Sequence, residues 1–173
     1  MRPKVLRAGL LSGAIMCALL PAGPASAAAA VLSASSRSVD LDCEFVVSVQ
    51  IAPGITPTPQ LSVFDSGGLT GQATCTGKVL GKNVTGPGAV SLRAEETASC
   101  AQLEGGHGVF TFRVPIAGGF AYIFGTYNSG GDGITGGMTG TAAVVSIDAG
   151  DCFNTPVTGV TTRAEVHVGP VYS

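Results

Sequence analysis

The chain has 173 residues, with nine Lys and Arg against eleven Asp and Glu, 26 glycines, no Trp and five cysteines. Three of the nine basic residues and none of the acidic ones fall in the first 27 positions, so residues 28–173 carry 6 − 11 = −5. That balance excludes nucleic acid and anionic membrane surfaces as partners, because both need Lys and Arg to displace counterions.

The chain opens with Arg2, Lys4 and Arg7, an apolar run of thirteen residues from Ala8 to Leu20, and a break at Pro21, Gly23 and Pro24. Ala25-Ser26-Ala27 is a small-residue cleavage site, so residues 1–27 read as a secretory signal peptide. The run would span only about 20 Å as a helix, short of the roughly 30 Å of a bilayer core, so no membrane insertion is expected after cleavage. The expected address is outside the cell, in the medium or on the cell wall.

Residues 28–38, AAAVLSASSRS, are small and patternless and read as a disordered leader. The ordered domain is expected over 39–173. Leu41 to Ile51 is the cleanest strand. Leu41, Cys43, Phe45, Val47, Val49 and Ile51 alternate with more polar positions, which gives one dry face and one wet one. Pro53, Gly54, Pro57 and Pro59 interrupt it. Leu61 to Phe64 starts a second strand that runs on toward Cys75 past Gly67 and Gly68. Gly77 to Gly88 is a loop or short hairpin, and Asn83-Val84-Thr85 within it is a formal glycosylation sequon. Residues 92–103 read as strand then loop, with one or two helical turns as the alternative.

Gly108 to Tyr127 follows as an aromatic hairpin. Val109 to Val114 leads in, Pro115 to Gly118 bends, and Gly119 to Tyr127 returns. Six of the ten Phe and Tyr residues lie here, so the core is expected here. Both sides of the return strand are apolar. Phe120, Tyr122 and Phe124 share one, Ala121, Ile123 and Gly125 the other, so both are expected to be covered. Asn128 to Gly137 is a glycine-rich connection, Thr139 to Ile147 another strand, Asp148 to Asp151 a turn, and Val157 to Val168 the last strand. Seven to nine strands with short links make an all-β, antiparallel sandwich or barrel.

Cys17 leaves with the signal peptide. Cys43, Cys75, Cys100 and Cys152 remain, an even number in an exported chain, which means two disulfides before metal. Three pairings are possible. Cys43–Cys152 with Cys75–Cys100 is preferred, because the first would tie the opening strand to the closing hairpin of a wrapped sheet. Zinc lacks both a C-x2-C spacing and enough histidines.

The order of features is a strand-borne Cys43, PGITPTP at Pro53 to Pro59, Cys75, Ser99-Cys100, Gly-x-Phe-x-Phe at Gly108 to Phe112, and a late Gly-rich pair of strands with Cys152. It resembles a group of small secreted actinobacterial proteins with four cysteines. The resemblance spans about 40–170 and implies an exported β domain with two disulfides; it carries no site residue. The neocarzinostatin-like apo-chromoproteins share the composition. Their cysteine pairs are close in sequence, and gaps of 32, 25 and 52 do not match.

Chemistry-bearing constellations are few. His107, in Gly-Gly-His-Gly, would be a general base only with a serine and carboxylate recruited from elsewhere, and reads as a solvated loop histidine. His167 reads as the wet face of an edge strand. Asp148 and Asp151, with Asp132, could approach a calcium ion but read as turn formers. Glu95 and Glu96 point to opposite faces of a strand and read as solvated charge. No catalytic, cofactor-binding or metal-ligating residue is assigned. The expectation is a non-catalytic extracellular module that binds a protein or glycan, with loops around Pro53 to Pro59 and Asn128 to Gly137 as contacts. A secreted protease inhibitor presenting Gly77 to Gly88, or a small hydrolase, is the alternative.

Overall fold

The computed structural model describes residues 30–33, 38–131 and 133–169. The expected signal peptide lies outside the described residues. These form eleven strands and no helix: β1 (Ala30–Ser33), β2 (Val39–Ile55), β3 (Gln60–Asp65), β4 (Gly71–Val79), β5 (Lys82–Asn83), β6 (Gly88–Ala98), β7 (Leu103–Ile116), β8 (Gly119–Gly130), β9 (Gly133–Gly136), β10 (Met138–Ala149) and β11 (Val157–Val168). The domain is all-β, as expected. The surplus over seven to nine strands comes from β1, β5 and β9, which are four residues or fewer.

The strands close on themselves. β2 pairs along one edge with β11 and along the other with β4 (Val39–Val46) and then β3 (Gln50–Ala52). Both β3 and β4 pair with β6, so together they act as one split strand. From β6 the ring runs through β7, β8, β9 and β10 back to β11. All these pairings are antiparallel, as short links require. We refer to the end with Val39, Ile116 and Gly119 as the lower end, and that with Ile55, Ala98 and Gly130 as the upper.

β2 can serve as the wall that closes the ring because its alternation is unbroken from Leu41 to Ile51. Each odd residue there is buried and the even ones face outward. Its Phe45 meets Phe112 of β7 edge-on at 5.6 Å between ring centroids, and Phe112 meets Phe110 at 5.7 Å. These three rings, with Leu41 and Ile123, fill the lower and middle interior. Full burial of one such side chain is worth about 1.5–3 kcal/mol.

The aromatic hairpin is β7–β8, with Ala117 and Gly118 between the strands. Only one of its two faces is core. Ala121, Ile123 and Tyr127 point inward, whereas Phe120 and Phe124 lie on the outer face, 44% and 47% exposed. The expectation that both faces are covered is therefore corrected, because the sheet is a single layer wrapped round one interior. Arg113 lies over the Phe120 ring, 5.0 Å from its centroid.

The preferred cysteine pairing is also overturned: neither Cys43–Cys152 nor Cys75–Cys100 forms. The bridges are Cys43–Cys75 and Cys100–Cys152. Cys43 and Cys75 are register partners on β2 and β4, with Cα atoms 4.1 Å apart. Cys152 lies at the upper end, its Sγ 3.8 Å from the Ile55 carbonyl oxygen. Ile55 is 55 − 43 = 12 residues beyond Cys43 on the same strand, roughly 40 Å of extended chain. Cys100–Cys152 thus ties the loop after β6 to the turn after β10.

One further expectation changes. Within the segment read as a disordered leader, Ala30–Ser33 is a strand, β1, paired in parallel with Ala121–Phe124 of β8. Residues 92–103 are strand then loop, as expected: β6 ends at Ala98 and a loop runs to Gln102.

Candidate functional site

The upper interior is not filled in the same way. A cleft of about 90 Å³ opens there, with Phe45, Phe64, Ile134, Met138 and Val160 among its walls and Glu96 as the one charged side chain among the described residues that line it. It opens past Ala142–Val144 of β10, where β10 has left β9 and pairs only with β11.

β6 places Glu96 there through its phase. Ala94, Glu96 and Ala98 share the buried parity, whereas Glu95 is exposed. The two carboxylates do point to opposite faces, as expected, but Glu96 is not solvated charge: it is 7% exposed. An adjacent acidic pair looks like surface in a sequence, and only the strand's phase shows that one member must go inside.

Room for this side chain comes from β7. Gly106 is the register partner of Glu96 on one side and of Ser129 on the other. A Cβ at Gly106 would stand 2.6 Å from both Cα and Cγ of Glu96. The missing side chain lets Glu96 lie across β7 and reach β8, where Ser129 Oγ donates to its Oε1 at 3.0 Å. Gly108 does the same for Tyr127. A Cβ there would be 2.6 Å from the ring's Cε1, so the ring covers the glycine across the strand pair.

Gly105 to Gly108 is therefore strand, not loop. Its even-numbered glycines clear the inner face, and His107 points outward between Glu95 and Asn128. His107 does not meet the cleft's carboxyl and hydroxyl.

Burial pushes the Glu96 carboxyl above its ordinary value, and the Ser129 hydrogen bond partly offsets this. Tyr127 is pushed up by burial and then by the charge of Glu96. Ser62, the register partner of Glu96 on β3, is 1% exposed, and its Oγ has no hydrogen-bond partner among the described residues. The cleft is thus an apolar chamber with one carboxyl and few hydroxyls.

The other singled-out residues stay apart from it. His167 faces outward, as expected, but on β11, which lies between β10 and β2 and is no edge strand. Its Nδ1 is 3.1 Å from Asp42 Oδ1. Asp151 is a turn former: its Oδ1 accepts from the N–H groups of Phe153, Asn154 and Thr155. The Asn154 side chain and these backbone bonds hold its carboxyl below the usual range. Asp148 accepts from Ser146 and Thr161. Asp132 lies outside the described residues. Among the described residues no group of three or more His, Cys, Asp or Glu converges on a metal position.

Of the expected contact loops, Asn128 to Gly137 supplies Ser129, Gly131, Gly133 and Ile134 to the cleft, while Pro53 to Pro59 does not reach it. Gly77 to Gly88 contains the β4–β5 hairpin, whose two-residue turn, Leu80–Gly81, has both φ angles positive at 54° and 73°.

No protein-family model, curated protein or solved structure matches this chain.

Proposed function

We propose that the chain is a non-catalytic, exported binding module whose ligand enters the upper cleft. The observation that carries this reading is the contrast within one interior: closely packed rings below, an apolar opening with a single buried carboxyl above. Concave, mostly apolar sites with a few placed polar groups are the usual form of a ligand pocket. The two disulfides are compatible with an extracellular location.

The alternatives fit less well. A hydrolase of the expected kind needs His107 beside the Glu96 carboxyl and the Ser129 hydroxyl, and His107 is on the other face of the sheet. A protease inhibitor presents an extended segment to the enzyme, whereas Leu80–Gly81 is a tight turn in the left-handed region. The outer row of Phe120, Tyr122 and Phe124 is a second surface, away from the cleft, that suits the expected protein or glycan contact.

The test is a calorimetric titration of the purified, oxidised protein with 1-hexanol, a small neutral apolar probe. Saturable binding is expected, and Ala142→Trp, which places an indole in the mouth, should abolish it while the circular dichroism spectrum stays that of a β protein. Equal binding by both proteins, or none by the parent, would overturn the reading.

A further inference from the structure

The cleft has one feature that its apolar walls do not explain. Glu96 is buried, and Ser129 Oγ donates to its Oε1. Among the described residues no Lys, Arg or His forms an ion pair with this carboxyl. Beside it on β3, the Ser62 hydroxyl is buried without a partner. Buried polar atoms are nearly always paired, and a buried carboxylate is costly unless a charge or several donors meet it. No cation comes from the walls, since Glu96 is the only charged residue among those described that line the cleft.

We infer that the cleft takes a small organic cation: an ammonium group on an apolar stem, with the head group donating to the Glu96 carboxylate and the stem lying along Ile134 and Met138 toward Val144 at the rim. This inference rests on the cleft being a ligand site, as proposed above. Charge complementarity selects the head group. An ammonium supplies the donors and the positive charge that the carboxylate lacks, and a charge-assisted hydrogen bond is about twice as strong as a neutral one. An anionic ligand would meet like charge in a low-dielectric chamber. A sugar would leave most of its hydroxyls against hydrocarbon, unpaired.

Size and continuity select the stem. About 90 Å³ is well below the roughly 300–1,000 Å³ of sites that enclose a drug-sized molecule. The enclosed part is therefore a head group and a short stem. The apolar wall does not stop at the mouth, since Val144, which lines the cleft, is 49% exposed. A stem that emerges from the cleft meets hydrocarbon rather than water. The raised pKa of Glu96 agrees with this arrangement, because burial without a countercharge is its cause.

The same chemistry has two sources, a free alkylamine and a lysine side chain on a partner protein. Calorimetric titration at neutral pH with 1-hexylamine, 1-hexanol and hexanoate tests the inference. Nα-acetyl-lysine N-methylamide serves as the peptide-like arm. Hexylamine should bind about tenfold or more tighter than hexanol, the fold-change expected of one hydrogen bond to a charged group. Hexanoate should bind weakest. Glu96→Gln should bring hexylamine down to hexanol and leave hexanol unchanged. Ser129→Ala keeps the carboxyl and should keep the preference. In the parent, the Glu96 carboxyl 13C resonance should titrate at lower pH with hexylamine bound than without it. If the lysine derivative matches hexylamine, the source is a partner's lysine; if it fails where hexylamine binds, the source is a free amine. Either result supports the inference. Equal binding of hexylamine and hexanol by the parent would overturn it and leave the cleft reading standing. Failure of every probe would overturn both.

Discussion

The two ends of the ring use the same strands for different ends. On β7, the lower stretch turns Phe110 and Phe112 inward, and these rings pack edge-on against each other and Phe45. The upper stretch of the same strand and face turns in Gly106 and Gly108, and the space is taken by Glu96 and Tyr127 reaching over from neighbouring strands. The difference teaches how a wrapped sheet leaves a cleft in its own interior. Side chains are deleted from one strand, longer polar ones lean in from the strands beside it, and the remaining volume stays open.

This contrast can be broken or sharpened by substitution. The largest effect belongs to the packed end. Phe112→Ala should cost about 3–5 kcal/mol, the usual range for a buried ring lost to a cavity. Guanidinium denaturation measures it, and the folded variant should still bind 1-hexanol. A loss below about 1 kcal/mol would mean that the rings are not the core.

At the open end, Gly106→Ala should cost less, about 1–3 kcal/mol, as expected when a methyl is forced into occupied space. It should also displace Glu96 from Ser129 and so erase any preference for amines. Unchanged stability together with unchanged ligand preference would show that the glycine is not there to clear space for the carboxyl.

The smallest effect is a pH dependence. Burial raises the folded-state pKa of Glu96 above the ordinary 4.5. The folded protein then holds this proton more tightly than the unfolded chain. Stability from this group is greatest below the unfolded value and falls as pH rises through the folded one. Glu96→Gln removes that fall, so the variant should gain on the parent as pH is raised from about 4 to 8. A difference between the two proteins that does not change with pH would contradict a carboxyl whose pKa is raised by burial.

Much of the packed end was legible in the sequence, because its signals are local. The period of two from Leu41 to Ile51 is β2, and the Phe-rich return about Gly118 is the β7–β8 turn. The open end was not, because each of its signals points the wrong way when read locally. Gly-Gly-His-Gly looks like a loop, and the glycines are strand positions crossed by a neighbour's side chain. Glu95-Glu96 looks like surface, and the phase set by Ala94 and Ala98 puts one of the two inside. That phase was readable; the clearance on β7 that accommodates the carboxyl was not. The cysteines failed for a related reason. Pairing depends on register between distant strands, and a 17-residue β2 puts Cys43 and the Cys152 turn far apart along the barrel wall. β1 pairs with β8 although its AVLS carries no alternation of its own, so its order comes from the open edge it finds.

The most direct test of the account is methyl NMR on the full chain during titration with 1-hexanol. The methyl resonances of Ile134, Met138 and Val160 should move and saturate together, while those of Ile123 and Val114 in the packed end stay fixed. Shifts spread evenly over both sets, or confined to the packed end, would contradict a ligand chamber at the upper end.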